Sequence, residues 1–295
     1  MSKSDAAPAA PTEPASEPAS EPASQNLLRR IGAALVLAPL ALALAYAGGW
    51  WWAGLVTLAS IGLLIEWLTV IGASHDRRAI TVGIVALVAC GLSLAVSRTD
   101  LGVLALLLGG LVVALLAQTL RGWTTAGFCY AALAELASVL VRLDIAAGFS
   151  ALLLVLLVVW GNDIGGYFAG RGIGGPKLWP RVSPKKTWAG AIGGFASGIL
   201  LAAGYVAWLP AGLSTTRMVP VLLLAATLSV VSQCGDLFES AVKRRFGVKD
   251  SSHIIPGHGG LLDRLDGFVA AIVVAALIGY LRGGVDGVGR GLMVW

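Results

Sequence analysis

Residues 101–120 read LGVLALLLGGLVVALLAQTL, twenty positions without a charged side chain. A run of roughly 18 or more apolar residues is long enough to cross the hydrocarbon core of a bilayer as a helix. Lipid offers no hydrogen bonds to an exposed backbone, so a spanning segment must satisfy its own, as a helix does. Including this stretch, about nine segments of the same kind fit the span length. They lie near 31–47, 50–72, 79–97, 101–120, 123–141, 145–160, 187–209, 218–235 and 267–281. The sixth is short, and its end near Trp160 and Asn162 is expected to unwind. The expected fold is therefore all-α, a polytopic membrane helical bundle. Composition agrees, with 57% hydrophobic and 13% charged residues and a mean hydropathy of +0.83. A soluble domain carries about 25% charged residues and would show amphipathic stripes with a charged outer face. Trp50, Trp51 and Trp52 open the second segment, where an interfacial aromatic belt is expected.

Charge gives the orientation. With the N-terminus inside, Lys3, Arg29, Arg30, Arg77, Arg78, Arg121, Arg171, Lys177, Arg181, Lys185, Lys186, Lys243, Arg244, Arg245, Lys249 and Arg264 fall on the cytoplasmic side. Of the 21 basic residues only Arg98, Arg142, Arg217, Arg282 and Arg290 fall outside. Adding or removing one span would blur that asymmetry, so the positive-inside rule supports an inside N-terminus and an outside C-terminus. The polar loops are thereby expected to face the cytoplasm.

The first 26 residues, where Glu-Pro-Ala-Ser repeats from Glu13 to Ser24, are too poor in branched and aromatic side chains to bury a core. They are expected to form a disordered tail before an uncleaved first span. Residues 27–282 form the expected catalytic domain and 283–295 a short C-terminal tail. Cys90, Cys129 and Cys234 lie in or beside apolar runs at no metal-ligand spacing, and read as small apolar side chains.

Two polar stretches interrupt the apolar pattern on the cytoplasmic side, 161–187 and 236–266. Both are longer than a bundle needs for a turn, which points to function. The first reads GNDIGGYFAGRGIGGPKLWPRVSPKKT. Its glycines would let backbone N–H groups approach a phosphate. Lys185 and Lys186 precede a helix whose expected N-cap is Thr187, and a helix N-terminus attracts anions. Gly170, Gly172 and Gly175 match G-x-G-x-x-G only formally, because no strand of a βαβ unit precedes them.

The second stretch carries Asp236, Ser240 and Lys243 at spacings that share a helix face, followed by Arg244. Asp263 and Asp266 stand three apart before the last span, with Arg264 between them. Carboxylate oxygens gathered in this way suit Mg²⁺, whose remaining ligands can be substrate phosphates. The alternative is that Lys243, Arg244 or Arg264 merely neutralises them. His258, in Pro256-Gly257-His258-Gly259-Gly260, reads as a structural or orienting residue within a tight turn. Acids for a divalent cation, bases for phosphates and access to lipid together suggest phosphoryl or nucleotidyl transfer onto a lipid.

SAVKRRFGVKDSSHIIPGHGGLLDRLD (240–266), NDIGGYFAGR (162–171), KLWPRVSPKKTWAG (177–190), RRIGAALVLAP (29–39) and Glu66-Trp67 resemble the phosphatidate cytidylyltransferases of bacterial phospholipid synthesis. The resemblance covers about residues 27–282. It implies the reaction of CTP with phosphatidic acid to give CDP-diacylglycerol and pyrophosphate, with Mg²⁺ as cofactor. It further implies a metal site of Asp236, Asp263 and Asp266, with Ser240, Lys243, Lys185 and Lys186 on phosphates. Asn162, Asp163, Arg171, Arg181 and Arg264 match motif positions without an assigned role, as do Lys249, Asp250 and His258. Membrane lipids and a second copy, as a homodimer, are the other implied partners, and no nucleic acid is expected. Two departures are Ala189, where the family has Glu, and Gly267, where it often has Ser. A CTP-dependent lipid kinase is the nearest rival reading. A transporter using intramembrane Glu66 and Glu135 is a more distant one, since acids inside spans are functional by default.

Overall fold

The computed structural model describes residues 36–209, 217–252 and 259–295. The expected tail at 1–26, the first motif at 29–35 and His258 lie outside these residues. Helix α1 is described over Val36–Ala47. It is followed by α2 Gly49–Val70, α3 Arg77–Ala95, α4 Thr99–Leu116, α5 Arg121–Leu143 and α6 Gly148–Gly172. A hairpin of β1 Lys177–Trp179 and β2 Ser183–Thr187 leads into α7 Trp188–Trp208. Then come α8 Met218–Arg245, α9 Leu262–Gly283, a 3₁₀ turn Val285–Gly287 and α10 Val288–Met293. Among the described residues 8 helices, α2 to α9, are long and apolar enough to cross a membrane. The all-α membrane bundle is what the sequence leads one to expect.

The boundaries at the site end differ from the sequence reading. The sixth span continues through Gly172 instead of unwinding near Trp160, the eighth runs on to Arg245, and the ninth begins at Leu262. Nearly half of the two polar stretches is therefore helix. The glycines read as a phosphate cradle explain the first difference. Gly161, Gly165, Gly166 and Gly170 recur along α6 and face Gly190, Gly193, Gly194 and Gly198 of α7. A Cβ on Gly194 would lie 2.5 Å from the Asn162 carbonyl oxygen, and one on Gly161 only 3.0 Å from the Gly198 Cα. Small residues at this spacing let two membrane helices approach backbone to backbone, where dispersion holds them together without a hydrophobic driving force. Gly174 and Gly175, with φ of 68° and 89°, do turn the chain, and lead it into the hairpin. The hairpin pairs Lys177 with Thr187 and Trp179 with Ser183.

Short polar corners stop the helices. Asp76 caps α3 by accepting from the Ala79 N–H at 3.2 Å, and also takes the Gln118 N–H at 2.7 Å. It thereby ties the start of α3 to the end of α4. At the opposite end Asp144 accepts from the N–H and Nε of Arg290, at 2.8 and 3.0 Å, and from the N–H groups of Ala146 and Ala147. This pins α10, whose Val288, Leu292 and Met293 are fully buried. The short tail is thus folded back into the bundle.

Two outcomes follow from this packing. Gly194→Ala should destabilise the purified protein by about 1–3 kcal/mol through overpacking, read as a lower thermal midpoint. Gly204→Ala on the same helix, where a Cβ meets nothing within 4 Å, should not lower it. For Asp144, burial pushes the carboxyl up, but the Arg290 N–H and guanidinium and the Ala146 and Ala147 N–H groups outweigh this and hold it below the ordinary range. A depressed carboxyl stabilises the fold above its unfolded pKa, about 3.9, and loses that contribution as pH falls through the folded value. The stability gap between wild type and Asp144→Asn should therefore be full near neutrality and shrink below about pH 4.

Candidate active site

At the end of the bundle where α6 and α8 finish and α7 begins, a cavity of about 530 Å³ opens beside the hairpin. The lower part of α6 contributes Asn162, Asp163, Tyr167 and Arg171. β2 supplies Lys185 and Lys186, and α8 supplies Ser232, Gln233 and Asp236. The hairpin, unexpected from the sequence, places the two lysines: β2 runs directly into α7, so Lys185, Lys186 and Thr187 arrive together at a helix N-terminus. The Thr187 hydroxyl accepts from the Gly190 N–H at 3.1 Å, so the expected N-cap is present. Arg171 hydrogen-bonds the Tyr167 hydroxyl at 2.9 Å, which steers the guanidinium along the cavity wall.

Opposite the bases lie the acids. Lys186 forms an ion pair with Asp236, without the alignment of a hydrogen bond. Asp163, Asp236 and Asp266, on three different helices, stand within electrostatic range of one another, and Arg264 acts on Asp163. The α8/α9 contact explains why Asp236 and Asp266 meet. A Cβ on Gly235 would lie 2.7 Å from the Asp266 carbonyl oxygen, and one on Gly267 only 2.6 Å from the Ser232 hydroxyl. Glycine at 267, one of the two departures from the family pattern, is thus the residue that fits against Ser232.

Asp263 is placed differently. It accepts from Lys243 Nζ at 2.6 Å and from the N–H groups of Ser251 and Gly260, at 3.2 and 3.3 Å. Lys243 also pairs with Glu239 at 2.9 Å, one turn earlier on α8. Asp236 and Lys243, read as sharing a face, therefore serve two adjoining networks. Ser240 lies on α8 between them and is half-buried. Arg244 turns back to the Val248 carbonyl, and Arg181 is exposed at the hairpin turn. Lys249 and Asp250 are exposed beyond α8. Among the described residues no group of three His, Cys, Asp or Glu side chains could by itself hold a metal ion. Asp236 and Asp266 offer hard oxygens from adjoining helices, a donor set that fits Mg²⁺ where substrate phosphates complete the shell.

Two groups of contacts escaped the sequence reading. Asn162 donates to the Ser229 carbonyl at 3.2 Å and accepts from the Ser229 hydroxyl and the Gln233 amide, at 3.1 and 2.9 Å. Gln233 also donates to the Ala191 carbonyl at 3.0 Å. This network joins α6, α7 and α8 at the cavity floor, so Asn162 positions the site. The signal was present as Ser229, Ser232, Gln233 and Asp236, a polar stripe at helical spacing in an apolar span. The second group surrounds Glu66. That carboxylate accepts hydrogen bonds from Ser251, Ser252, Leu261 and Leu262, a structural occupation of one of the two acids that favoured transport.

Comparison with known proteins follows the same residues. Residues 28–281 match the family described as the cytidylyltransferase family. A phosphatidate cytidylyltransferase of Brucella suis biovar 1 is 42% identical over 259 residues, covering 86% of this chain and 93% of that protein. Proteins of the same name from Bacillus subtilis and Haemophilus influenzae are 44% and 46% identical over 124 and 127 residues, covering 41% and 42% of this chain and 44% of each relative. With the match running through nearly every helix of the bundle, the chain belongs to the cytidylyltransferase family.

Proposed function

We propose that the chain transfers the cytidylyl group of CTP to phosphatidic acid, giving CDP-diacylglycerol and pyrophosphate, as in phospholipid synthesis. The observation that carries this reading is the cavity at one end of the membrane bundle, where Lys185, Lys186 and Arg171 stand against Asp163 and Asp236. Substrates of this reaction are a soluble triphosphate and a membrane-held phosphate, and a basic cavity at the end of apolar spans can receive both. The basic residues of this end favour placing it on the cytoplasmic face of a bacterial inner membrane. A homodimer belongs to the reading through the family resemblance alone.

A phosphate oxygen of phosphatidic acid forms a bond to the α-phosphorus of CTP while the bond from that phosphorus to the pyrophosphate oxygen breaks. The nucleophile is already anionic, so no side chain needs to remove a proton. Lys185 and Lys186, beside the N-terminus of α7, would hold the β- and γ-phosphates and stabilise the departing pyrophosphate. The Asn162 network would keep α6, α7 and α8 at fixed spacing while this happens. Asp236 and Asp266 would hold Mg²⁺, which supplies charge neutralisation of the phosphates when bound. Asp263, tied to Lys243 and two backbone N–H groups, would contribute through the order of the α9 entry.

Asp236→Asn should lower turnover by about 10²–10³-fold, the usual cost of one preorganised electrostatic contact, with the amount of protein in the membrane unchanged. Wild-type-like turnover would remove Asp236 from the metal site. Purified protein given CTP and phosphatidic acid should place α-phosphate label in the lipid and release unlabelled pyrophosphate. Entry of γ-label instead would make it a lipid kinase. Chelation should abolish the transfer and Mg²⁺ should restore it.

A further inference from the structure

Glu66 lies near the end of α2, fully buried, and is absent from the cavity wall. Its two carboxylate oxygens divide four donors evenly. One takes the Ser252 hydroxyl at 2.6 Å and the Leu261 N–H at 2.8 Å. The other takes the Ser251 hydroxyl at 3.0 Å and the Leu262 N–H at 2.7 Å. Leu261 and Leu262 form the entry to α9, where N–H groups have no acceptor within the helix and the helix dipole presents its positive end. No side chain of α9's own N-cap residue closes that end. An acid almost two hundred positions earlier in the chain does so instead.

The surroundings are shaped to this contact. Gly62, one turn before Glu66, admits Leu261, whose Cδ2 would lie 2.8 Å from any Cβ there. Gly260 is equally constrained: a Cβ would collide with the Ser251 hydroxyl and come within 2.7 Å of Glu66 Oε2. Asp263 holds the same corner through the Ser251 and Gly260 N–H groups. Asp266 follows Leu262 by about one helical turn, and its backbone lies against Gly235, the residue before Asp236 on α8.

We propose that Glu66 is a positioning residue: from α2 it fixes the first turn of α9, and thereby the height at which Asp266 stands beside Asp236. A helix rises 1.5 Å per residue, so fraying or slipping of this turn displaces both Asp263 and Asp266. A displacement of about 1 Å can cost on the order of 10²-fold in rate. The charge matters as well as the shape, because an amide at this position would turn an NH₂ group toward two donors. The effect on turnover rests on the cytidylyl-transfer reading, whereas the clasp itself does not.

The test uses the full chain in nanodiscs, with Glu66→Gln, the double variant Ser251→Ala/Ser252→Ala and the triple combination. Glu66→Gln should lower kcat by about 10- to 100-fold and change KM for CTP by less than about threefold. Hydrogen exchange at the Leu261 and Leu262 amides should accelerate. The serine double variant, which leaves the carboxylate and both amide bonds in place, should lose several-fold in kcat with KM for CTP changed by less than about threefold. The triple variant should be no slower than Glu66→Gln, because all three changes cut one clasp. Wild-type kcat in the serine variant, losses that multiply in the triple variant, or unaltered exchange at Leu261 and Leu262 would each overturn the inference. Should Glu66→Gln fail to accumulate, the serine variant decides alone. Failure of the wild-type protein to make cytidylated lipid would instead overturn the proposed function, and the exchange measurement would still report on the clasp.

Discussion

Hydrocarbon accepts no hydrogen bonds, and a charged side chain at its centre costs roughly 2.5–3.5 kcal/mol on insertion scales. Polar side chains of this bundle are therefore driven to meet a partner within the protein or to lie at a helix end. That constraint organises the molecule. Asp76 and Asp144 close corners between helices, Glu66 closes the start of α9, and Asp163, Arg171, Lys185, Lys186 and Asp236 line a cavity at one end. The functional site is where the bundle concentrates the charges it could not bury singly.

The same constraint explains why the site is carried on helices. Helix ends in a membrane protein need not coincide with the edge of the apolar run, provided neighbouring helices shield the backbone. α6 extends past its apolar stretch because its glycines fit against those of α7. α8 extends past its own because Lys243, Glu239 and Asp263 neutralise one another. Side chains mounted on such extensions are held by rigid elements on two or three sides. Transition-state stabilisation by preorganised charges needs that rigidity. Lys186, paired with Asp236 on the cavity wall, would on the proposed reading exchange that carboxylate for a phosphate.

Much of this was legible in the amino-acid sequence. Apolar run length and the lopsided distribution of basic residues gave the spans, because both respond to the bilayer and little else. The Thr187 cap and the placement of Lys185, Lys186, Asp163 and Asp236 near one cavity were also within reach. The extent of α6 was not, since Gly165, Gly166 and Gly170 read equally well as a flexible loop and as a helix-packing face. Only the complementary glycines of α7 decide between them, and pairing of distant segments is not encoded in local propensity. Glu66 was visible as an acid in a span, yet its four donors come from the far end of the chain. Asp263 and Asp266 look equivalent at a spacing of three, and the corner at Ser251 and Gly260 separates them.

On the proposed reading a nucleoside triphosphate enters the cavity lined by Lys185, Lys186 and Asp236 and displaces the Lys186–Asp236 pair. The most direct measurement is an experimental structure of the protein with a non-hydrolysable CTP analogue and Mg²⁺. The β- and γ-phosphates are expected against Lys185 and Lys186, with cation density at the Asp236 and Asp266 carboxylates. Nucleotide bound elsewhere, with the Lys186–Asp236 pair undisturbed, would contradict it.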